Sequence, residues 1–257
     1  MTKNIIVISH RRSGTHLTID AIRNNFDIYK KHKFVTLNED INKPEFQDNL
    51  FDAQIHPRVI KTHFLPNFKL YTDKSLEIEN YFINAHLIYV YRNGLDVMVS
   101  LYEYMRRYDA NVQKIEFNDF IKTFNNFDNT KEDFNRIEFW KQHIKSWQNS
   151  EYAKQIIWVK FEDFQNNYTN VIKTIAEKFE LEMPKTIVDI RLSKSKIKNK
   201  KLKKLLNLFK GVKTTSVSAR KGTSGDFENY FDKNTIELFL KHNKEFMEEL
   251  KYKTNLK

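Results

Sequence analysis

Short all-apolar runs alternate along the chain with longer stretches of helical period. Asn4 to Ser9 is a continuous apolar run, the pattern of a strand buried on both faces of a parallel sheet. After a turn around Ser13 and Gly14, Leu17, Ile19, Ile22 and Phe26 recur at helical spacing. A second run, Leu87 to Tyr91, passes through Arg92, Asn93 and Gly94 into Val97, Leu101 and Tyr104, again helical. The third, Ile156 to Val159, leads through Phe161-Glu162-Asp163 to a helix expected from about Tyr168 to Phe179. Val59 to Lys61 reads as a short strand, Lys131 to Trp147 as an amphipathic helix, and Asn234 to Leu250 as the last helix. Asn111 to Thr130 has no clean period and is expected to be a mobile segment over the site. Strands separated by helices predict an α/β fold: a three-layer, mostly parallel sheet flanked by helices. With no repeat and no flexible linker, residues 1–257 are expected to form one domain.

Composition changes this picture in three places. The 21 Phe and 12 Tyr against 5 Gly are read as core filling. The absence of cysteine excludes disulfides, thiolate nucleophiles and zinc-thiolate sites. The 44 Lys and Arg against 33 Asp and Glu, a formal charge of +11, favour an anionic partner. Charge alone does not choose among a nucleotide, a polyanion, nucleic acid and a membrane surface. The apolar run at the start is too short for a signal peptide or a membrane span, so a cytoplasmic location is expected.

The turn Ser9-His10-Arg11-Arg12-Ser13-Gly14-Thr15-His16 joins the first strand to the first helix. Backbone N–H groups at a helix start, with the Ser13 and Thr15 hydroxyls and the Arg12 guanidinium, suit an anion. The chemistry alone leaves two readings: an anion cradle, or an ordinary strand-helix turn with surface arginines. It is not a Walker A sequence, since the Gly-x-x-x-x-Gly-Lys pattern is missing, which disfavours a kinase-like enzyme.

Arg12-Ser13-Gly14-Thr15-His16-Leu17 resembles the 5′-phosphosulfate loop of the cytosolic sulfotransferase family, usually written Pro-Lys-Ser-Gly-Thr-Thr-Trp. Three more segments match in the family's order. Pro57-Arg58-Val59-Ile60-Lys61-Thr62-His63 is similar to the segment with the catalytic Lys and His. Tyr91 to Ser100 is similar to the 3′-phosphate strand and helix, with Arg92 and Ser100 eight residues apart. Ala219 to Phe231 is similar to the C-terminal Arg-Lys-Gly-x-x-Gly-Asp-Trp-Lys-Asn-x-Phe signature. Phe161-Glu162-Asp163-Phe164 is a weaker match to Tyr-Glu-Asp-hydrophobe.

The resemblance implies a P-loop-like phosphate-binding turn after the first strand and transfer of a sulfuryl group from 3′-phosphoadenosine-5′-phosphosulfate (PAPS) to a hydroxyl or amine. PAP is then the product, no metal is required, and the acceptor is expected to be a small molecule or saccharide rather than nucleic acid. By the same resemblance His63 is the general base and Lys61 and Arg12 assist catalysis. Arg12, Ser13, Gly14, Thr15 and His16 would hold the 5′ end; Arg92, Ser100, Arg220, Lys221 and Gly222 would hold the 3′-phosphate. Leu17 stands where the family has a tryptophan that stacks on adenine, and Phe161 lacks the usual tyrosine hydroxyl. The family's dimer-forming segment is replaced here by Glu228, Asp232 and Lys233, leaving only Glu237. Residues 194–213 hold nine lysines among Ile197, Leu202, Leu205, Leu206 and Phe209. They read as a basic amphipathic helix with three uses: a solvated face over a packed one, a lid beside the Arg220 motif, or a peripheral contact with an anionic surface.

Overall fold

A computed structural model describes residues 3–37, 57–123, 135–191 and 224–255. Among them, five strands form one sheet in the order β2-β3-β1-β4-β5, every pairing parallel. The strands are β1 (Ile5–Ile8), β2 (Val35–Thr36), β3 (Val59–Thr62), β4 (His86–Tyr91) and β5 (Ile156–Lys160). The helices are α1 (Thr15–Asn25), α2 (Asp27–Lys30), α3 (Ser75–Ile83), α4 (Gly94–Met105), α5 (Phe117–Phe120), α6 (Arg136–Gln148), α7 (Phe161–Asn166), α8 (Tyr168–Lys178) and α9 (Lys233–Glu249).

Side-chain alternation along the strands splits the core in two. Ile6, Ile8, Ile60, Leu87 and Tyr89 face one layer, built from α4, α6 and α9. Ile5, Val7, Val59, Ile88 and Val90 face the other, built from α1 and α8. Strands covered on both faces must be apolar throughout, which is why β1 reads as an unbroken Ile-Ile-Val-Ile. The expected three-layer parallel architecture is therefore present.

Some expectations are corrected. β2 has only two residues and carries no pattern; it exists because Val35 and Thr36 pair with Ile60 and Lys61. α7 follows β5 directly, where no helix was expected before Tyr168. As far as Thr123, the segment expected to be mobile is anchored, with Val112, Phe117, Phe120 and Ile121 buried in the core. α6 begins at Arg136, where the Asn135 side chain accepts a hydrogen bond from the Glu138 N–H at 2.9 Å. Among the described residues, no helix is long and apolar enough to cross a membrane.

Candidate active site

Parallel strands bring their C-terminal ends to one edge, where α/β sheets bind ligands. The register aligns Ile8 of β1 with Thr62 of β3 and Tyr89 of β4. Ser9, His63 and Arg92, the residues just beyond or near these ends, therefore share a rim. From β1 the chain turns through Arg12 (φ 69°) and Gly14 (φ 110°) into α1. A Cβ at residue 14 would lie 2.6 Å from the Phe161 ring, so both the backbone angle and the space require glycine. Among the described residues, no side-chain hydrogen bond caps the start of α1. The Ser13 hydroxyl is buried beside it and has no hydrogen-bond partner among the described residues. An uncapped helix start with an unused buried hydroxyl fits an anion.

Two arginines flank this turn. Arg12 Nε donates to Ser100 Oγ at 3.2 Å, and its guanidinium lies 4.7 Å over the Tyr104 ring. Burial, reinforced by Arg92 and Arg107, pulls Arg12 below the ordinary guanidinium range, with Tyr104 acting against them. Arg92 is buried 4.6 Å over the Phe161 ring and 3.7 Å from the buried Asp96 carboxylate. Phe161 thus touches both Gly14 and Arg92, a packing role that its lost hydroxyl does not affect. Asp96 also accepts hydrogen bonds from the N–H groups of Gly225 (2.9 Å) and Phe227 (3.3 Å), tying the C-terminal motif to α4. Arg12 and Ser100, assigned by sequence to different subsites, are in contact. His16 stands edge-on to Phe34 at 5.6 Å, and Leu17 packs against the core layer of α1 and α8. Arg220, Lys221, Gly222 and the basic segment 194–213 lie outside the described residues.

His63 follows β3 and is buried. Its Nδ1 lies 2.7 Å from the Ser9 carbonyl oxygen and 3.3 Å from Ser9 Oγ. A carbonyl only accepts, so Nδ1 carries the proton and, in the neutral ring, Nε2 carries the lone pair. Burial, aided by Arg11 and Lys61, holds the imidazole well below its usual value; the Ser9 carbonyl offsets part of this. The same Ser9 hydroxyl is 2.6 Å from Thr15 Oγ1, which sets the imidazole directly beside the start of α1. Lys61 is buried on β3, opposite Val7 of β1. Among the described residues, no three His, Asp or Glu side chains are grouped to hold a metal ion.

Sequence reasoning missed Ser9, Tyr89, Asp96 and His143. Asp96 had a signal, since it stands one helical turn after Arg92. Ser9, Tyr89 and His143 had none, because a polar group inside a strand end or an apolar helix face looks like an ordinary core position.

A family model described as the sulfotransferase domain matches residues 2–251. Sulfotransferase 1C2 of the rabbit, Oryctolagus cuniculus, is 24% identical over 248 residues, spanning 89% of this chain and 77% of that protein. Sulfotransferase 1 family member D1 of Mus musculus is 28% identical over 257 residues, spanning 92% and 80%. Among solved structures, mouse sulfotransferase SULT7A1 complexed with PAP aligns with a TM-score of 0.62 at 17% identity, covering 95% of this chain and 84% of that one. Retinol dehydratase in a complex with retinol and PAP aligns with a TM-score of 0.57 at 16% identity, covering 100% and 84%. The structural likeness carries the fold, and the family model, spanning nearly the whole length, carries membership: this chain belongs to the sulfotransferase family.

Proposed function

We propose that the chain transfers the sulfuryl group of PAPS to a hydroxyl or amine of a small-molecule or saccharide acceptor, with His63 as general base. The observation that carries this is the Ser9 hydroxyl, in contact with both Thr15 of the anion-binding turn and His63. A neutral imidazole protonated on Nδ1, next to the start of α1, supports this reading. The residues present suit the nucleotide: the partly buried Arg12 and the buried Arg92 flank the turn, and among the described residues the buried Ser13 hydroxyl has no hydrogen-bond partner. The PAP complexes of SULT7A1 and retinol dehydratase support the same reading, and the complexes of retinol dehydratase with retinol and androsterone support a small-molecule acceptor.

Ser13, Gly14, Thr15, His16 and the first N–H groups of α1 would hold the 5′ end. Arg92, Ser100, Arg220, Lys221 and Gly222 would hold the 3′-phosphate, with Arg12 between the two sets. PAPS, when bound, supplies the sulfuryl group on a phosphosulfate anhydride. His63 Nε2 takes the proton from the acceptor oxygen or nitrogen as it attacks. Lys61 and Arg12 place positive charge where negative charge grows on the leaving side.

The test is transfer of ³⁵S from PAPS into a mixed small-molecule extract, alongside PAP affinity. His63→Ala lowers turnover by roughly 10²–10⁴-fold and leaves PAP affinity near that of the wild type. Equal turnover of variant and wild type removes His63 from the role.

A further inference from the structure

Behind His63 lies a chain of buried polar contacts that the proposed chemistry leaves unused. His143, on α6, is fully buried; its Nε2 lies 3.0 Å from the His63 carbonyl oxygen and its Nδ1 lies 2.6 Å from the Tyr89 hydroxyl on β4. The carbonyl can only accept, so Nε2 of His143 carries a proton. Nδ1 of the neutral ring then accepts from the Tyr89 O–H. Burial keeps that hydroxyl protonated, pushing its pKa well above the usual phenol value. A backbone carbonyl thus fixes the tautomer of each histidine: Ser9 for His63 and His63 for His143.

We propose that Tyr89 and His143 are positioning residues, which fix the backbone of His63 and thereby the direction of its Nε2. The proposal rests on the reading of His63 as base. Its physical reason is local. His63 sits one residue past β3, where the sheet ladder no longer holds the chain. Ser9 restrains the ring through Nδ1, whereas His143 restrains the peptide that carries it. Fixing both removes rotation about the side-chain torsions as well as drift of the backbone. Small misplacements of a catalytic group cost large factors in rate, and loss of a buried orienting partner has comparable weight.

The discriminating variants are His143→Leu, which removes the donor, and His143→Gln, whose amide N–H can replace Nε2. They are compared with Tyr89→Phe and His63→Ala in ³⁵S transfer from PAPS into the same mixed extract, with PAP affinity measured separately. His143→Leu is expected to lower turnover about 10–100-fold at unchanged PAP affinity, with His143→Gln recovering most of the loss and Tyr89→Phe falling between. Imidazole ¹⁵N spectra give a second readout that needs no acceptor. Wild type shows a single Nδ1–H tautomer at His63, and His143→Leu shows an averaged one while circular dichroism reports an intact fold. A folded His143→Leu protein with wild-type turnover and an unchanged His63 spectrum overturns the positioning role. If His63→Ala keeps full turnover, the base reading falls and the positioning role in catalysis falls with it. If His63→Ala loses turnover while folded His143→Leu does not, only the positioning role is lost.

Discussion

At the scale of single residues, two imidazoles with lowered pKa values, the buried His63 and the partly buried His86, bear on the response to pH. Burial holds His63 well below 6.5, and burial with Lys3 nearby lowers His86 to about 4. His86 is stacked on Phe179 with ring centroids 4.2 Å apart. A general base works in its neutral form, so the acid limb of turnover should lie below pH 6.5, where an exposed histidine would already be half protonated. Stability follows the same sign. In the native state both rings bind a proton less readily than in the unfolded chain, so their contribution is complete above pH 6.5 and is lost as pH falls through the depressed values. Thermal melts between pH 7 and pH 4 should therefore show a falling midpoint, with a shallower slope in His86→Gln. Identical slopes would mean that His86 titrates alike in both states.

At the scale of elements, β1, β4 and β5 were legible because strands covered on both faces admit few polar residues, leaving unbroken apolar runs in the sequence. β2 was not, because a two-residue strand is defined by the neighbour it pairs with. The site divides along the same line. The turn from Arg12 to Thr15 could be read since its residues are contiguous. Contacts between distant segments could not, such as Asp96 with Gly225 or His143 with His63, since no local pattern records them. Departures from the family pattern also acquire reasons only in the fold: Asp232 caps α9 by accepting from the Thr235 N–H at 2.7 Å, and it accepts from Asn118 Nδ2 at 2.7 Å. Asp96 is where these scales meet, because one carboxylate holds Arg92 and two N–H groups of the C-terminal segment. Removing it takes the Asp96 carboxylate from buried Arg92 and releases the N–H groups of Gly225 and Phe227. Asp96→Ala should cost about 3 kcal/mol of stability, the scale for breaking a buried pair from one side, and should weaken PAP. Asp96→Asn, which keeps an acceptor, should lose less of both. Wild-type melting and PAP affinity in Asp96→Ala would show that Arg92 and the C-terminal motif are held by other groups.

For the whole molecule, an excess of eleven positive charges acquires meaning only where the fold concentrates it. Arg12, partly buried, and Arg92, buried, come from two different strand-helix connections and lie within electrostatic reach of each other. Folding brings these like charges together, and a bound anion would lower their mutual repulsion. A ligand that binds the folded state alone stabilises it by mass action, about 2.7 kcal/mol at a hundredfold excess over Kd. For a chain of this length that corresponds to roughly 5–10 °C in midpoint. PAP should produce such a shift, and ATP with Mg²⁺ a much smaller one, because the proposed Arg92 subsite takes a 3′-phosphate, which only PAP carries. Arg92→Ala should erase most of the difference between the two ligands, and added salt should shrink the PAP shift by screening the partly exposed cations around the rim. Equal shifts from PAP and ATP would contradict a 3′-phosphate subsite and return the arginine pair to the other candidate anions. A shift seen with neither nucleotide, but with nucleic acid and steeply salt-dependent, would move the positive charge to a binding role instead.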